Sequence, residues 1–90
     1  MSDLTNAEIS RLKGRAQLLD PILKVGRNGL SEPFLQSVRQ ALQEHELIKI
    51  KFIDFKEEKK VLSKTLAEKT ESHLIMRVGN VAVLYRRREE

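Results

Sequence analysis

Ile48, Ile50 and Phe52 alternate with Lys49 and Lys51 in the middle of the chain. A period of two is that of a strand with one apolar and one polar face. Segments of helical period lie on both sides of it. Phe34, Leu35, Val38, Ala41, Leu42 and His45 share a helical face before it, and Val61, Leu62, Thr65, Leu66 and Lys69 share one after it. A chain that changes period in this way layers helices on a sheet. At 90 residues it can bury somewhat over ~60% of its unfolded surface, which allows one core and leaves no room for a separate cofactor domain.

The remaining elements follow from punctuation. Thr5 and Glu8 form a capping box, with Leu4 and Ile9 at the positions of a hydrophobic staple. A helix is therefore expected from Asn6 to the residue before Pro21. Ile9, Leu12, Ala16 and Leu19 form its apolar stripe, and Arg11, Lys13 and Arg15 lie largely off it. Pro21 to Val25 reads as a short strand, and Gly26-Arg27-Asn28-Gly29 as a tight loop. Ser31 can cap a second helix that tolerates Pro33 in its first turn and runs to about His45. A third helix is expected from Glu57 to Thr70. Leu74–Val78 and Val81–Arg86, joined by Gly79-Asn80, read as a hairpin. The predicted fold is α/β: a single compact domain, α-β-α-β-α-β-β, with a four-stranded mixed sheet packed against helices.

Composition narrows the function classes. There is no cysteine, which excludes a disulfide framework, a thiolate zinc site and a thiol nucleophile. No apolar run reaches the ~18 residues of a membrane span, and Met1 to Asn6 lacks the charged and apolar regions of a leader. A cytoplasmic location is expected. Lys and Arg number 17 against 13 Asp and Glu, a net charge of 17 − 13 = +4. Residues 1–30 carry five basic and three acidic side chains, residues 31–60 six of each, and residues 61–90 six and four. The excess therefore sits at the two ends, which would form a basic patch if they met in space.

The segment Val25 to Phe34 carries the most chemical information. A strand delivers the chain into Gly-Arg-Asn-Gly, and a helix starts immediately after. Glycine permits positive φ and close approach of a ligand to the backbone, and a helix N-terminus offers unpaired N–H groups to an anion. KH domains clamp an RNA backbone with such a GxxG loop. The same residues also suit an ordinary strand-to-helix turn, and Glu32 already places negative charge at the helix's positive end. The spacing fits neither a P-loop nor a dinucleotide fingerprint.

Three stretches extend the pattern. Leu12-Lys13-Gly14-Arg15-Ala16, Leu19-Asp20-Pro21 and Lys24 to Glu32 come first; Ala41-Leu42 and His45 to Lys51 follow; Val83-Leu84-Tyr85-Arg86 closes the chain. In this order they resemble the CRM domain, the chloroplast RNA splicing and ribosome maturation domain, and most of all its bacterial stand-alone form. The resemblance implies a fold similar to the C-terminal domain of a bacterial translation initiation factor. It also implies RNA binding through Gly26, Arg27, Asn28 and Gly29, with precursors of the large ribosomal subunit as the target. The stand-alone form often continues into a basic tail, whereas this sequence ends Arg87-Arg88-Glu89-Glu90.

Further contacts to RNA are expected from Lys24, Lys49, Lys51, Arg77 and Arg86 on strands, and from Arg11, Lys13 and Arg15 on the first helix. Each also fits an ordinary solvated face. Phe34 and Phe52 belong to the core, which leaves Phe55 as the aromatic that can face solvent. An RRM-type stacking platform is disfavoured, so backbone contact should dominate. His45-Glu46 lacks a second histidine at metalloprotease spacing, since Lys49 stands there. No nucleophile–base pair is fixed by the sequence. The expectation is a monomeric, non-enzymatic module without metal, cofactor, membrane or small-molecule substrate, in contact with rRNA and ribosomal particles. A protein-interaction module of the translation or assembly machinery is the alternative.

Overall fold

The computed structural model describes residues 4–88, so part of the leader reading and the Glu89-Glu90 end fall outside the described residues. The capping box forms: the Thr5 hydroxyl accepts the Glu8 N–H at 3.1 Å, and the Glu8 carboxylate accepts the Thr5 N–H at 3.0 Å. The Thr5 N–H, then its hydroxyl, hold the Glu8 carboxyl below the usual carboxylate range despite some desolvation, with Arg87 and Arg11 adding to the effect. Helix α1 spans Asn6–Ala16, four residues short of the expected end. Its last turn tightens, with Leu18 and Leu19 N–H groups bonding to the Arg15 and Ala16 carbonyls. The chain is then captured by the middle strand: Lys49 Nζ donates to the Leu19 carbonyl at 2.9 Å, and the Ile22 N–H donates to the Lys49 carbonyl at 3.0 Å. Leu19 consequently leaves the apolar stripe, and Leu18 is 88% exposed.

The other elements appear in the expected order. They are β1 (Leu23–Val25), α2 (Glu32–His45), β2 (Leu47–Phe52), a 3₁₀ turn (Lys56–Glu58), α3 (Lys59–Lys69), β3 (His73–Val78) and β4 (Val81–Tyr85). The sheet order is β1-β2-β4-β3; β1 runs parallel to β2, and the other pairs are antiparallel. The mixed sheet and its helices thus have the predicted architecture. Only Gly79 of the hairpin turn takes positive φ, at 56°. At the end of α2, His45 is exposed rather than part of the apolar stripe.

Apolar residues pack on both faces of the sheet. Val25, Ile48, Ile50, Phe52, Ala82 and Leu84 meet α2 and α3 through Leu35, Val38, Leu42 and Leu66. Leu47, Val83 and Ile75 meet α1 through Leu12 and Ala16 on the opposite face. A register shift between Leu74 and Met76 lets Ile75 and Met76 both serve the α1 face. The outer face of β2, expected to be open, is therefore partly roofed by α1. On α3 the buried side is Ser63, Leu66 and Ala67, while Val61 is 66% exposed and Lys69 faces solvent. The small side chains at 63 and 67 let the helix approach the sheet, which turns Val61 outward. The helix ends in a Schellman motif, Ser72 N–H to Ala67 carbonyl and Glu71 N–H to Glu68 carbonyl, with Glu71 at φ 54°.

Two arginines clasp that end. Arg86 Nη1 donates to the Thr70 carbonyl at 3.0 Å and Nη2 to the Arg39 carbonyl at 3.5 Å; Arg39 Nη2 donates to the Lys69 carbonyl at 3.1 Å. The planar fork of Arg86 ties β4 to α2 and α3 together, a geometry an ammonium does not reproduce. Arg86→Ala should lower stability by about 2 kcal/mol, read as a lower urea midpoint with unchanged m-value, and Arg86→Lys should recover little of it. An unaltered midpoint for Arg86→Ala would remove this clasp from the account.

Candidate nucleic-acid interface

Three loops meet at the carboxyl ends of the parallel pair. The Val25 carbonyl, last in β1, accepts the Ile53 N–H at 3.0 Å and the Asp54 N–H at 3.1 Å. This pins the start of the glycine loop to the segment that leaves β2. The Phe52 N–H donates to the Asn80 carbonyl at 2.7 Å, which brings in the hairpin turn. Lys59 Nζ, at the start of α3, donates to Asn80 Oδ1 at 2.9 Å.

Gly26 to Gly29 is a turn closed by the Gly29 N–H on the Gly26 carbonyl at 3.0 Å. It feeds α2, whose first turn is capped by the Ser31 hydroxyl accepting the Phe34 N–H at 3.4 Å. The two glycines differ. Gly29 takes φ +60°, and a Cβ there would lie 3.4 Å from Phe55 Cε2, whereas a Cβ on Gly26 meets nothing and needs no positive φ. Asn28 does not use the left-handed region either. Only one of the two glycines is therefore demanded by the backbone. Arg27 and Asn28 are exposed at the tip.

The register places the expected cations on two sides. Lys24 stands directly opposite Lys51 across the β1–β2 ladder, on the face that α1 partly roofs. Both side chains are exposed there. Arg11, Lys13 and Arg15 are exposed on α1 above the same face. Lys49 shares that face, but its ammonium is bonded to the Leu19 carbonyl. Arg77 pairs with Ala82 and so projects on the opposite, α2–α3 side, where Arg86 is also bound. The two basic ends therefore meet only in part: Arg77 and Arg86 project away from α1, while Arg87 reaches it through Glu8. A strand that buries Ala82 and Leu84 against α2 and α3 must send Arg86 the same way. Arg87 pairs with Glu8 at 3.2 Å, and the Arg88 N–H bonds to Glu46 Oε2 at 2.8 Å.

Charge at the loop end is mixed. Glu32, at the start of α2, is held by Arg39 at 3.3 Å. Asp54, Glu57 and Glu58 are exposed beside Lys56 and Lys60. Among the described residues no group of three or more His, Asp or Glu could hold a metal ion, and no helix is long and apolar enough to cross a membrane.

Sequence reasoning singled out Phe55 as the aromatic able to face solvent but missed its contact with the glycine loop. Phe55 adopts φ 57°, ψ 35°, and lays its ring over Gly29. A non-glycine residue in this region costs roughly 1–2 kcal/mol. The readable signal was the apolar pair Ile53 and Phe55 just past the end of a strand, where the core no longer needs them.

The fold and the sequence have known counterparts. The family model for the CRS1 / YhbY (CRM) domain matches residues 4–86. A Haemophilus influenzae protein named "RNA-binding protein" is 35% identical over all of this chain and 92% of its own length. The Bacillus subtilis "Probable RNA-binding protein YqeI" is 31% identical over 97% of this chain and 92% of its own. The solution structure of the hypothetical protein SAV1595 from Staphylococcus aureus superposes with a TM-score of 0.82 at 32% identity, covering 98% of this chain and 93% of that one.

Gly29→Ala should lower stability by about 1–2 kcal/mol from its positive φ, whereas Gly26→Ala should change it by less than ~0.5 kcal/mol. Paired thermal melts check this, and equal losses would mean the two glycines are equivalent.

Proposed function

The chain belongs to the CRS1 / YhbY (CRM) domain family, and from that premise we propose that it binds RNA by clamping the sugar–phosphate backbone. The observation that carries the reading is the pair Lys24 and Lys51, exposed and in register on neighbouring strands beside the Gly26–Gly29 loop. Two exposed ammonium groups on neighbouring strands can share one phosphate. The Gly29 and Phe34 N–H groups are already bonded and Pro33 has none, so the donors to the next phosphate would be the Arg27 and Asn28 N–H groups at the loop tip and that of Glu32. Arg27, Arg11, Lys13 and Arg15 extend the positive surface. The RNA-binding names of the relatives support the same ligand class.

The target within this reading is rRNA in precursors of the large ribosomal subunit, as the resemblance to the bacterial stand-alone CRM proteins implies. The protein would act as an assembly factor on those particles, in the cytoplasm. Arg86 is left out of the contact surface, because its guanidinium is spent on the fold. Lys49 contributes field rather than direct contact for the same reason. A protein-docking role finds its support in the exposed apolar turn of Leu18, Leu19 and Ile22.

Contact with three to six phosphates would give log K against log salt a slope of about −2 to −5, at ~0.7–0.9 per phosphate. In the Lys24→Gln/Lys51→Gln double variant the slope should become shallower by about 1–2 while the fold is retained. A salt-independent affinity, or an unchanged slope in a folded variant, would turn the assignment towards the protein-docking role.

A further inference from the structure

Phe55 stands where neither backbone nor core accounts for it. Its φ of 57° suits glycine or asparagine and is an outlier for a bulky side chain. Its ring belongs to neither apolar cluster, and the residue is 40% exposed. One edge of the ring, Cδ2, Cε2 and Cζ, lies over the Cα side of Gly29, at contact distance (3.4–4.0 Å) from where a Cβ would stand. The ring is therefore held against the one turn of the chain built for close approach by a ligand. The Phe55 carbonyl accepts the Glu58 N–H at 3.1 Å, which fixes the residue at the head of the 3₁₀ turn. Strained, exposed residues of this kind collect at binding sites.

We propose that Phe55 is a stacking shelf for one unpaired base, and that the ligand of the glycine-loop end is therefore single-stranded RNA: a loop, bulge or end rather than a continuous duplex. This deepens the RNA-binding reading above and rests on it. The base and phosphate of one nucleotide are joined through a single sugar, so a ring packed on the loop that takes the phosphate is within reach of the base. A base inside a duplex has both faces stacked on its neighbours and cannot use the shelf. Stacking tolerates any base, so the shelf selects strandedness and leaves sequence to other contacts. Ile53, 48% exposed on the same segment, widens the apolar surface.

The full chain contains no tryptophan, so Phe55→Trp places a single indole reporter on the shelf. The probe is an adenosine homopolymer RNA of about ten nucleotides, compared with an RNA duplex of the same length. Fluorescence of the F55W variant should be quenched by the single strand and not by the duplex. Phe55→Leu keeps an apolar side chain against Gly29 but removes the aromatic face. It should weaken single-strand binding about five- to a hundred-fold, and Phe55→Tyr should restore it. If F55L binds the single strand as tightly as the unaltered chain while K24Q/K51Q loses affinity, the shelf is wrong and the backbone clamp stands. Equal quenching of F55W by duplex and single strand also overturns the shelf. If the unaltered chain binds neither RNA, the shelf and the RNA reading fall together.

Discussion

The parallel pairing of β1 with β2 is the constraint on which the rest of the structure depends. Parallel neighbours cannot be joined by a tight turn and need a crossover of a dozen or more residues. Here α2 supplies it, between Val25 and Leu47. Because both strands run the same way, both end at the same edge of the sheet. The Val25 carbonyl, accepting two N–H groups from the chain leaving β2, locks that coincidence in place. The antiparallel hairpin then returns its Gly79-Asn80 turn to the same edge. A glycine loop, an aromatic and a helix N-terminus are gathered there by topology.

The two faces of the sheet divide the labour. The face against α2 and α3 holds most of the large buried side chains and the arginine clasp. The other face is only partly covered by α1, and its uncovered end carries Lys24 and Lys51. This division decides the fate of each basic residue more than its charge does. Arg86 and Lys49 are consumed by backbone carbonyls, while Lys24, Lys51, Arg27 and the outer residues of α1 remain available. Phe55 enlarges the picture, since a chain with few aromatics still places one against its Gly26–Gly29 turn.

Much of this was legible in the residues. Thr5 with Glu8, Ser31, and Gly79-Asn80 mark their elements through local hydrogen bonding or glycine geometry, which a sequence records directly. The alternation of Ile48, Ile50 and Phe52 with lysines identified the middle strand. It could not say whether α1 covers the lysine side. The uninterrupted apolar run Val81-Ala82-Val83-Leu84 carried that information, because a strand buried on both faces loses its alternation. The early end of α1 and the outward turn of Val61 were not legible, since each depends on a tertiary partner: Lys49 for the first, and close approach over Ser63 and Ala67 for the second. The same holds for the site. The Gly26–Gly29 loop is local and could be read, whereas the Lys24–Lys51 register and the Phe55–Gly29 contact join residues about 27 positions apart and exist only in the fold.

The central claim is that RNA meets the carboxyl-end loops of the β1–β2 pair. Backbone amide chemical shifts of the isotope-labelled chain, followed as single-stranded RNA is titrated in, test it residue by residue. The account predicts the largest shifts at Lys24, Gly26 to Gly29, Lys51 and Phe55, with Glu46 and Arg86 to Arg88 at the far end of the sheet unmoved. Shifts concentrated at Glu46 and Arg86 to Arg88, with the glycine loop silent, would contradict it.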